Sequence, residues 1–140
     1  MNFPSAQAAM VTQKMTTYVF DATNLPNLCH ELVAKRVSAA GTWPVAPIAE
    51  SSSSSTCDVL RSPSSAKIPP VPFGQRAVAI IGFGNDGNAV MIGCTHLTTG
   101  AGNFQVPVSL TAIDPDNFKL RVEGVKCSRF VQFCEGNCTQ

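Results

Sequence analysis

Charged residues are scarce in this chain. Lys, Arg, Asp and Glu account for 14% of its 140 residues, against about 25% in average soluble proteins, and the formal net charge is only +1. The ten Lys and Arg residues form no basic stripe, so the sequence predicts no nucleic-acid partner. Because a weak net charge gives little repulsion between copies, we expect self-association or contacts with other surface proteins.

Long apolar runs are also missing. A membrane helix needs about 20 consecutive apolar residues, and no segment approaches that length, so we expect no membrane span. Residues 1–14 include Asn2, Pro4 and two glutamines in place of a basic start and an apolar run, so we expect no signal peptide in this chain. The length suits a single domain over residues 1–140, with residues 1–14 as an N-terminal tail or an extra strand.

Recognisable catalytic motifs are absent as well. No G-x-S-x-G elbow occurs, the serines concentrate in a low-complexity segment, and the nine acidic residues are scattered. We therefore predict a non-enzymatic protein. A small secreted hydrolase is the less favoured alternative, because it would need a pocket that joins a Ser or Cys to His30 or His96.

Each of the two histidines lies near a cysteine, in the pairs Cys29–His30 and Cys94–His96. Four such side chains are able to form a zinc site, but neither pair has a usual zinc-finger spacing. Both cysteines also have a competing role in disulfides. We therefore predict neither a metal site nor a cofactor.

An even set of six cysteines stands out against these absences. Such a set in a short chain predicts three disulfides, which persist outside the reducing cytosol, so we expect an extracellular, cell-surface or periplasmic protein. The favoured pair is Cys57–Cys94, because it would pin a long loop to a central hairpin. The other expected pairs are Cys29–Cys127 and Cys134–Cys138.

Two segments in the middle of the chain predict a β-hairpin. Residues 77–83 and 89–94 are short apolar runs around Asn85-Asp86-Gly87-Asn88, whose residues tolerate the positive φ of tight turns. Apolar residues occupy both odd and even positions of each run, which is typical of strands covered on both faces. We therefore expect a central hairpin with one face on the core and the other against something else.

A second hairpin is predicted nearer the C-terminus. Residues 104–112 and 118–122 alternate apolar and polar side chains around the turn formers of residues 114–117, for which we favour a plain polar turn over a calcium site. Pro107 cannot donate a ladder hydrogen bond, so its strand should lie at an edge or a bulge. The edge predicted for assembly comprises Phe104, Val106, Pro107 and Val108.

The remaining segments complete an all-β prediction. Residues 16–22 predict a strand, and residues 32–37 are assigned to another, although their spacing also suits a short helix. Residues 41–70 hold five Pro and the serine run 51–55, which predicts a long surface loop. About six to seven strands with short turns predict a small antiparallel β-sandwich with disulfides.

A family resemblance rests on Val71-Pro72-Phe73-Gly74-Gln75-Arg76-Ala77-Val78, followed by Gly82, the turn at Asp86-Gly87, and Gly93-Cys94. This segment resembles the V-P-x-G-x-R-x-V pattern of transthyretin-like, carboxypeptidase-regulatory-like β-sandwich modules of bacterial surface proteins and lipoproteins. The resemblance implies a β-sandwich at the cell surface that serves adhesion, assembly or sugar binding. It implies no catalytic residue.

These observations predict a structural or adhesive surface module, such as a self-assembling subunit of an appendage or coat. Residues 1–14 would donate a strand to a neighbouring copy, or else fold back on their own domain. A carbohydrate- or small-ligand-binding module is the alternative. Its expected contacts are the aromatic side chains Trp43, Phe73 and Phe83, which would stack on a sugar ring.

Overall fold

A single antiparallel sheet of six strands forms the centre of the molecule. The computed structural model describes residues 3–34, 43–51, 53–61, 71–99, 108–125, 127 and 130–135. In sheet order the strands are β2-β1-β4-β5-β6, and β3 also pairs with β1. In chain order the elements are α1 (Ala6–Val11), β1 (Lys14–Asp21), α2 (Leu28–Ala34), β2 (Ala49–Glu50), β3 (Ser54–Ser55), α3 (Thr56–Arg61), β4 (Gly74–Phe83), β5 (Ala89–Thr99), β6 (Thr111–Ala112), α4 (Pro115–Glu123) and α5 (Phe130–Cys134).

The predicted central hairpin is confirmed as β4 and β5. The two strands pair from Gly74↔Thr99 to Phe83↔Ala89, with a register irregularity after Gly82. Gly87 adopts a φ of 79° in the connecting turn, as the Asp-Gly sequence predicted. The strand predicted at residues 16–22 is β1, which pairs along β4 over its whole length.

Each face of the sheet packs against other parts of the same chain. On the face covered by α2, Phe20 and Ile81 are buried beneath Leu28 and Leu32. The opposite face forms a second core beneath α1 and α3, with further cover from partly buried side chains of α4. Its buried members are Ala8, Val11, Met15, Val59, Ile80, Val90, Met91, Val108 and Leu110. The two-sided apolar pattern of the hairpin is therefore satisfied within one chain.

The second predicted hairpin is wrong, because residues 115–123 form α4 rather than a strand. The Asp114 side chain accepts a hydrogen bond from the backbone N–H of Asn117 at 3.2 Å, which caps the helix. Phe118 and Val122, four residues apart, pack towards the second core, whereas Leu120 is 68% exposed. The segment therefore follows the helical spacing of its apolar residues and not the apolar–polar alternation of a strand. β5 pairs with the two residues of β6 instead.

Two further sequence assignments are corrected to helices. Leu32, assigned to a strand over residues 32–37, lies in α2, where Leu28 and Leu32 are both buried at helical spacing. The N-terminal segment is neither a tail nor a strand, since residues 6–11 form α1. Ser5 caps α1 by accepting a hydrogen bond from the N–H of Ala8 at 3.1 Å. The buried side chains of α1 fold back on their own domain, so this segment is not presented as a donor strand.

Disulfides join Cys29 to Cys94 and Cys57 to Cys134, and Cys127 is disulfide-bonded as well. Oxidised cysteines were predicted, but the three predicted pairings are wrong. Cys57 lies in the first turn of α3 on one face of the sheet, whereas Cys94 packs against the core on the other face. Cys29 reaches Cys94 because it lies in α2, directly over β5. Cys138 lies outside the described residues.

The long loop predicted for residues 41–70 carries regular structure where it is described. It contains β2, β3 and α3, and residues 62–70 lie outside the described part. A second sheet, which a β-sandwich requires, is not among the described residues, so the sandwich stays a prediction. No helix within the described ranges is long and apolar enough to cross a membrane.

Candidate functional site

Exposed apolar side chains mark one end of the sheet. Phe73 is 70% exposed in the turn before β4, and Leu25 is 38% exposed in the turn after β1. The two turns are neighbours, because the N–H of Ala22 donates to the carbonyl of Gln75 at 3.0 Å. An aromatic and an aliphatic side chain are thus presented at the same end of the molecule.

The conformation of the Phe73 turn is fixed by Arg76, whose side chain is only 8% exposed. Its Nε donates to the carbonyl of Pro72 at 3.1 Å, and its Nη2 donates to the carbonyl of Phe73 at 3.1 Å. Its Nη1 donates to the carbonyl of Gln75 and to Oδ1 of Asp21, both at 3.0 Å. Because four donor contacts are made within the chain, Arg76 serves to position this turn rather than to bind a ligand.

Gly74 and Thr99 complete the support of the turn. Gly74 adopts a φ of 142°, and a Cβ atom there would lie 3.3 Å from both terminal nitrogens of Arg76. The hydroxyl of Thr99, on the paired strand, lies within hydrogen-bond distance of the carbonyls of Pro72 at 3.1 Å and Gly74 at 3.2 Å. The V-P-x-G-x-R segment therefore has a structural role. The role of Arg76 was not predicted, although it is the one charged residue within the β4 sequence.

Asp21 balances the charge of Arg76 at this end. Hydrogen bonds from the hydroxyl and the backbone N–H of Thr23, and then the nearby Arg76 guanidinium, lower the pKa of Asp21. The carboxylate is therefore ionised at neutral pH and pairs with Arg76 at 3.0 Å. This opposite pair leaves the surroundings of Phe73 without a strong charge of either sign.

A shallow hollow of about 420 Å³ adjoins the Phe73 turn. Its lining includes Pro26, Gln75, His96 and Thr98. Nε2 of His96 accepts a hydrogen bond from the backbone N–H of Cys29 at 3.2 Å, so this ring nitrogen carries no proton in that contact. The hollow thus combines an apolar wall with a few polar side chains.

The disulfide beside His96 bears on two predictions from the sequence, zinc binding and hydrolysis by a cysteine. Cys29, Cys94 and His96 are brought together, but the two cysteines are bonded to each other and offer no thiolates to zinc or to a substrate. Within the described ranges, no group of three or more His, Cys, Asp or Glu residues has a metal-binding arrangement.

The three aromatic residues predicted to contact a ligand do not form one platform. Trp43 packs against Tyr18 and Phe20, with ring centroids 5.0 Å apart in both cases. Phe83 is partly buried at the far end of β4, which places it roughly 30 Å along the strand from Phe73. Phe73 alone among them is strongly exposed.

The predicted assembly edge is described at only one position. Phe104, Val106 and Pro107 lie outside the described residues, and Val108 is buried in the second core with 1% exposure. The Val108 side chain therefore contributes to the core rather than to an open edge. Phe73 was among the aromatic residues predicted to contact a ligand, whereas the exposed Leu25 was not singled out by the sequence pattern.

No protein family model, curated protein or solved structure matches the chain. The residues at this end of the sheet combine a fixed, exposed aromatic side chain with an adjoining hollow of mixed polarity, a geometry suited to contact with another molecule.

Proposed function

We propose that this chain is a non-enzymatic, extracytoplasmic structural or adhesive module that associates with other copies of itself through the Phe73 turn. The observation that supports the proposal is the 70% exposure of Phe73 in a turn fixed by the buried Arg76 side chain. Transfer of such an aromatic side chain from water into an interface contributes about 1.5–3 kcal/mol. A native turn that leaves it exposed forgoes this stabilisation until a partner covers the ring.

The Phe73 turn is held rigidly, which favours a role in binding. Binding through a mobile loop has to offset the entropy of ordering it, about 1–2 kcal/mol for each residue fixed. The Pro72 and Phe73 carbonyls are already held by Arg76, so most of this ordering is complete before a partner arrives. Preorganised aromatic side chains are typical anchors of protein interfaces.

Charge and location are consistent with the same proposal. The net charge of +1 and the Asp21–Arg76 pair give little repulsion between two copies meeting at this end. The disulfides support an extracellular, cell-surface or periplasmic location. The transthyretin-like resemblance carries the same expectation, but the second sheet of a β-sandwich would have to come from residues outside those described.

Carbohydrate binding is the second candidate, because Phe73 adjoins a hollow that contains polar side chains. Gln75 and Thr98 lie opposite each other on β4 and β5 and both line the hollow. A ring stacked on Phe73 would place sugar hydroxyls near these groups. Trp43 does not belong to this candidate site, because it packs against Tyr18 and Phe20.

Sedimentation velocity over a micromolar to millimolar concentration series tests the proposal. We expect the oxidised wild-type protein to associate, and Phe73→Ala to weaken association about tenfold or more. Ile48→Ala is the matched control, because Ile48 is an exposed apolar residue outside the Phe73 turn, next to edge strand β2, and its backbone N–H donates to the carbonyl of Val19. A wild-type protein that stays monomeric throughout, or a Phe73→Ala variant that associates equally well, would refute the proposal. A monomer that binds glycans in a Phe73-dependent manner would establish the second candidate instead.

A further inference from the structure

A separate groove of about 480 Å³ lies at the other end of the sheet, near the β4–β5 turn. Gln13 lines it and donates its backbone N–H to the carbonyl of Phe83 at 2.8 Å, which places the groove at the far end of β4 from Phe73. Its volume lies within the range of about 300–1,000 Å³ that small-molecule sites have. The groove is thus independent of the contact surface proposed above.

Apolar and polar side chains both line the groove. Met10 and Val11 of α1, Val125 and Phe133 supply apolar lining, with the exposed Leu120 also contributing. Gln13, Asn85 and Arg121 supply the polar atoms. A few convergent polar groups on an apolar wall orient a ligand that has one polar end.

Two of the three guanidinium nitrogens of Arg121 are hydrogen-bonded to described residues. Its Nε donates to Oδ1 of Asn117 at 2.8 Å, and its Nη2 donates to Oδ2 of Asp86 at 2.6 Å. Nη1 makes no hydrogen bond to any described residue. It lies over Gly84, where a Cβ atom would approach Nη1 to 2.8 Å. The absence of a side chain at Gly84 therefore leaves room for this guanidinium.

Asp86, the ion-pair partner of Arg121, determines whether the groove favours a charged or a neutral ligand. Hydrogen bonds from Arg121 and from the backbone N–H of Asn88 lower the pKa of Asp86 to about 2. Asp86 is therefore ionised at neutral pH and cancels the charge of Arg121. A ligand carboxylate would meet the Asp86 carboxylate as well as the guanidinium, whereas an uncharged oxygen accepts from Nη1 without that repulsion.

We propose that this groove binds a neutral amphiphile, with an apolar chain or ring and one hydroxyl or carbonyl oxygen. The oxygen accepts a hydrogen bond from Nη1 of Arg121. The apolar part lies against Met10, Val11, Val125 and Phe133. A carboxylate of the same chain length binds more weakly, because it faces Asp86.

The test uses the full, oxidised, ¹⁵N-labelled chain and 1-decanol below its solubility limit, with decanoate at pH 7 as the charged match. We expect saturable amide shifts from decanol at residues 10–13 and 120–125, and at least fivefold weaker binding of decanoate. Arg121→Leu should weaken decanol binding about three- to tenfold, the value of one hydrogen bond. Ile48→Ala should leave binding unchanged.

Folding of each variant is verified by its amide spectrum before titration. Arg121→Lys is the second variant, because it retains a charge beside Asp86 but lacks the planar fork, and it should also bind decanol more weakly than the wild type. Three results would overturn the proposal: no saturable shifts, shifts confined to other regions, or equal affinity for decanol and decanoate. Unchanged decanol binding by folded Arg121→Leu would overturn the role of Nη1.

Discussion

Arg76 donates from Nη2 to the carbonyl of Phe73 at 3.1 Å, while Phe73 itself is 70% exposed. The backbone of the turn is therefore fixed by a buried cation, and the side chain it presents is largely exposed. This relationship connects the stability of one end of the sheet with its proposed function. It also distinguishes Arg76, which fixes the turn, from Phe73, which makes the proposed intermolecular contact.

Removal of the Arg76 guanidinium should destabilise the fold. We expect Arg76→Met to lower the free energy of unfolding by about 1–3 kcal/mol, because the turn carbonyls lose their donors inside a poorly solvated environment. Arg76→Lys should recover only part of this loss, since an ammonium cannot span Pro72, Phe73 and Asp21 in the same geometry. Urea unfolding of the three proteins measures the effect, and equal stabilities would contradict the positioning role.

The disulfides Cys29–Cys94 and Cys57–Cys134 should be found when the non-reduced protein is digested and mapped by mass spectrometry. Replacing Cys29 and Cys94 together by Ser should cost about 4 kcal/mol, the value expected for a closed loop of this length. Thermal unfolding of the double variant measures the cost. A peptide map with Cys57 joined to Cys94 would contradict this fold.

Stability should fall when the pH is lowered towards 2. The folded-state pKa of Asp21 is lowered and that of Asp86 is about 2, whereas an unfolded Asp titrates near 3.9. Below that unfolded value the unfolded chain binds more protons, so both carboxylates stabilise the fold above about pH 4 and lose that contribution as they protonate. Urea unfolding between pH 2 and pH 7 should show this decline.

The double variant Asp21→Asn with Asp86→Asn is the control for the pH dependence. It should unfold with a smaller change between pH 4 and pH 2 than the wild type, because the two titrating groups are removed. An identical pH profile for the two proteins would show that other carboxylates account for the decline.

Local signals in the sequence predicted the central hairpin well. Asn85-Asp86-Gly87-Asn88 supplies turn conformations between two apolar runs, a combination typical of a β-hairpin. The same reasoning failed for α4, because Asp114-Pro115 is both a turn signal and a helix start. The apolar residues Phe118, Leu120 and Val122 are too few to distinguish the two-residue period of a strand from the period of a helix.

The candidate site depends on contacts that no local pattern contains. Arg76 meets Asp21 only because β1 and β4 are adjacent, and the sequence does not state which strands pair. The disulfide pairs were missed for the same reason, since they follow from which face each helix covers. Phe73 was identified as an aromatic of interest, but its exposure follows from the turn that Arg76 fixes.

Amide spectra of the ¹⁵N-labelled, oxidised protein recorded over a concentration series test the proposed contact surface most directly. From the proposed self-association we expect concentration-dependent shifts at residues 71–76, 22–26 and 96–98, with the rest of the described sheet unchanged. The same series with Phe73→Ala should show shifts only at much higher concentration, whereas Ile48→Ala should reproduce the wild type. Shifts that map to any other surface, or that persist unaltered in Phe73→Ala, would contradict it.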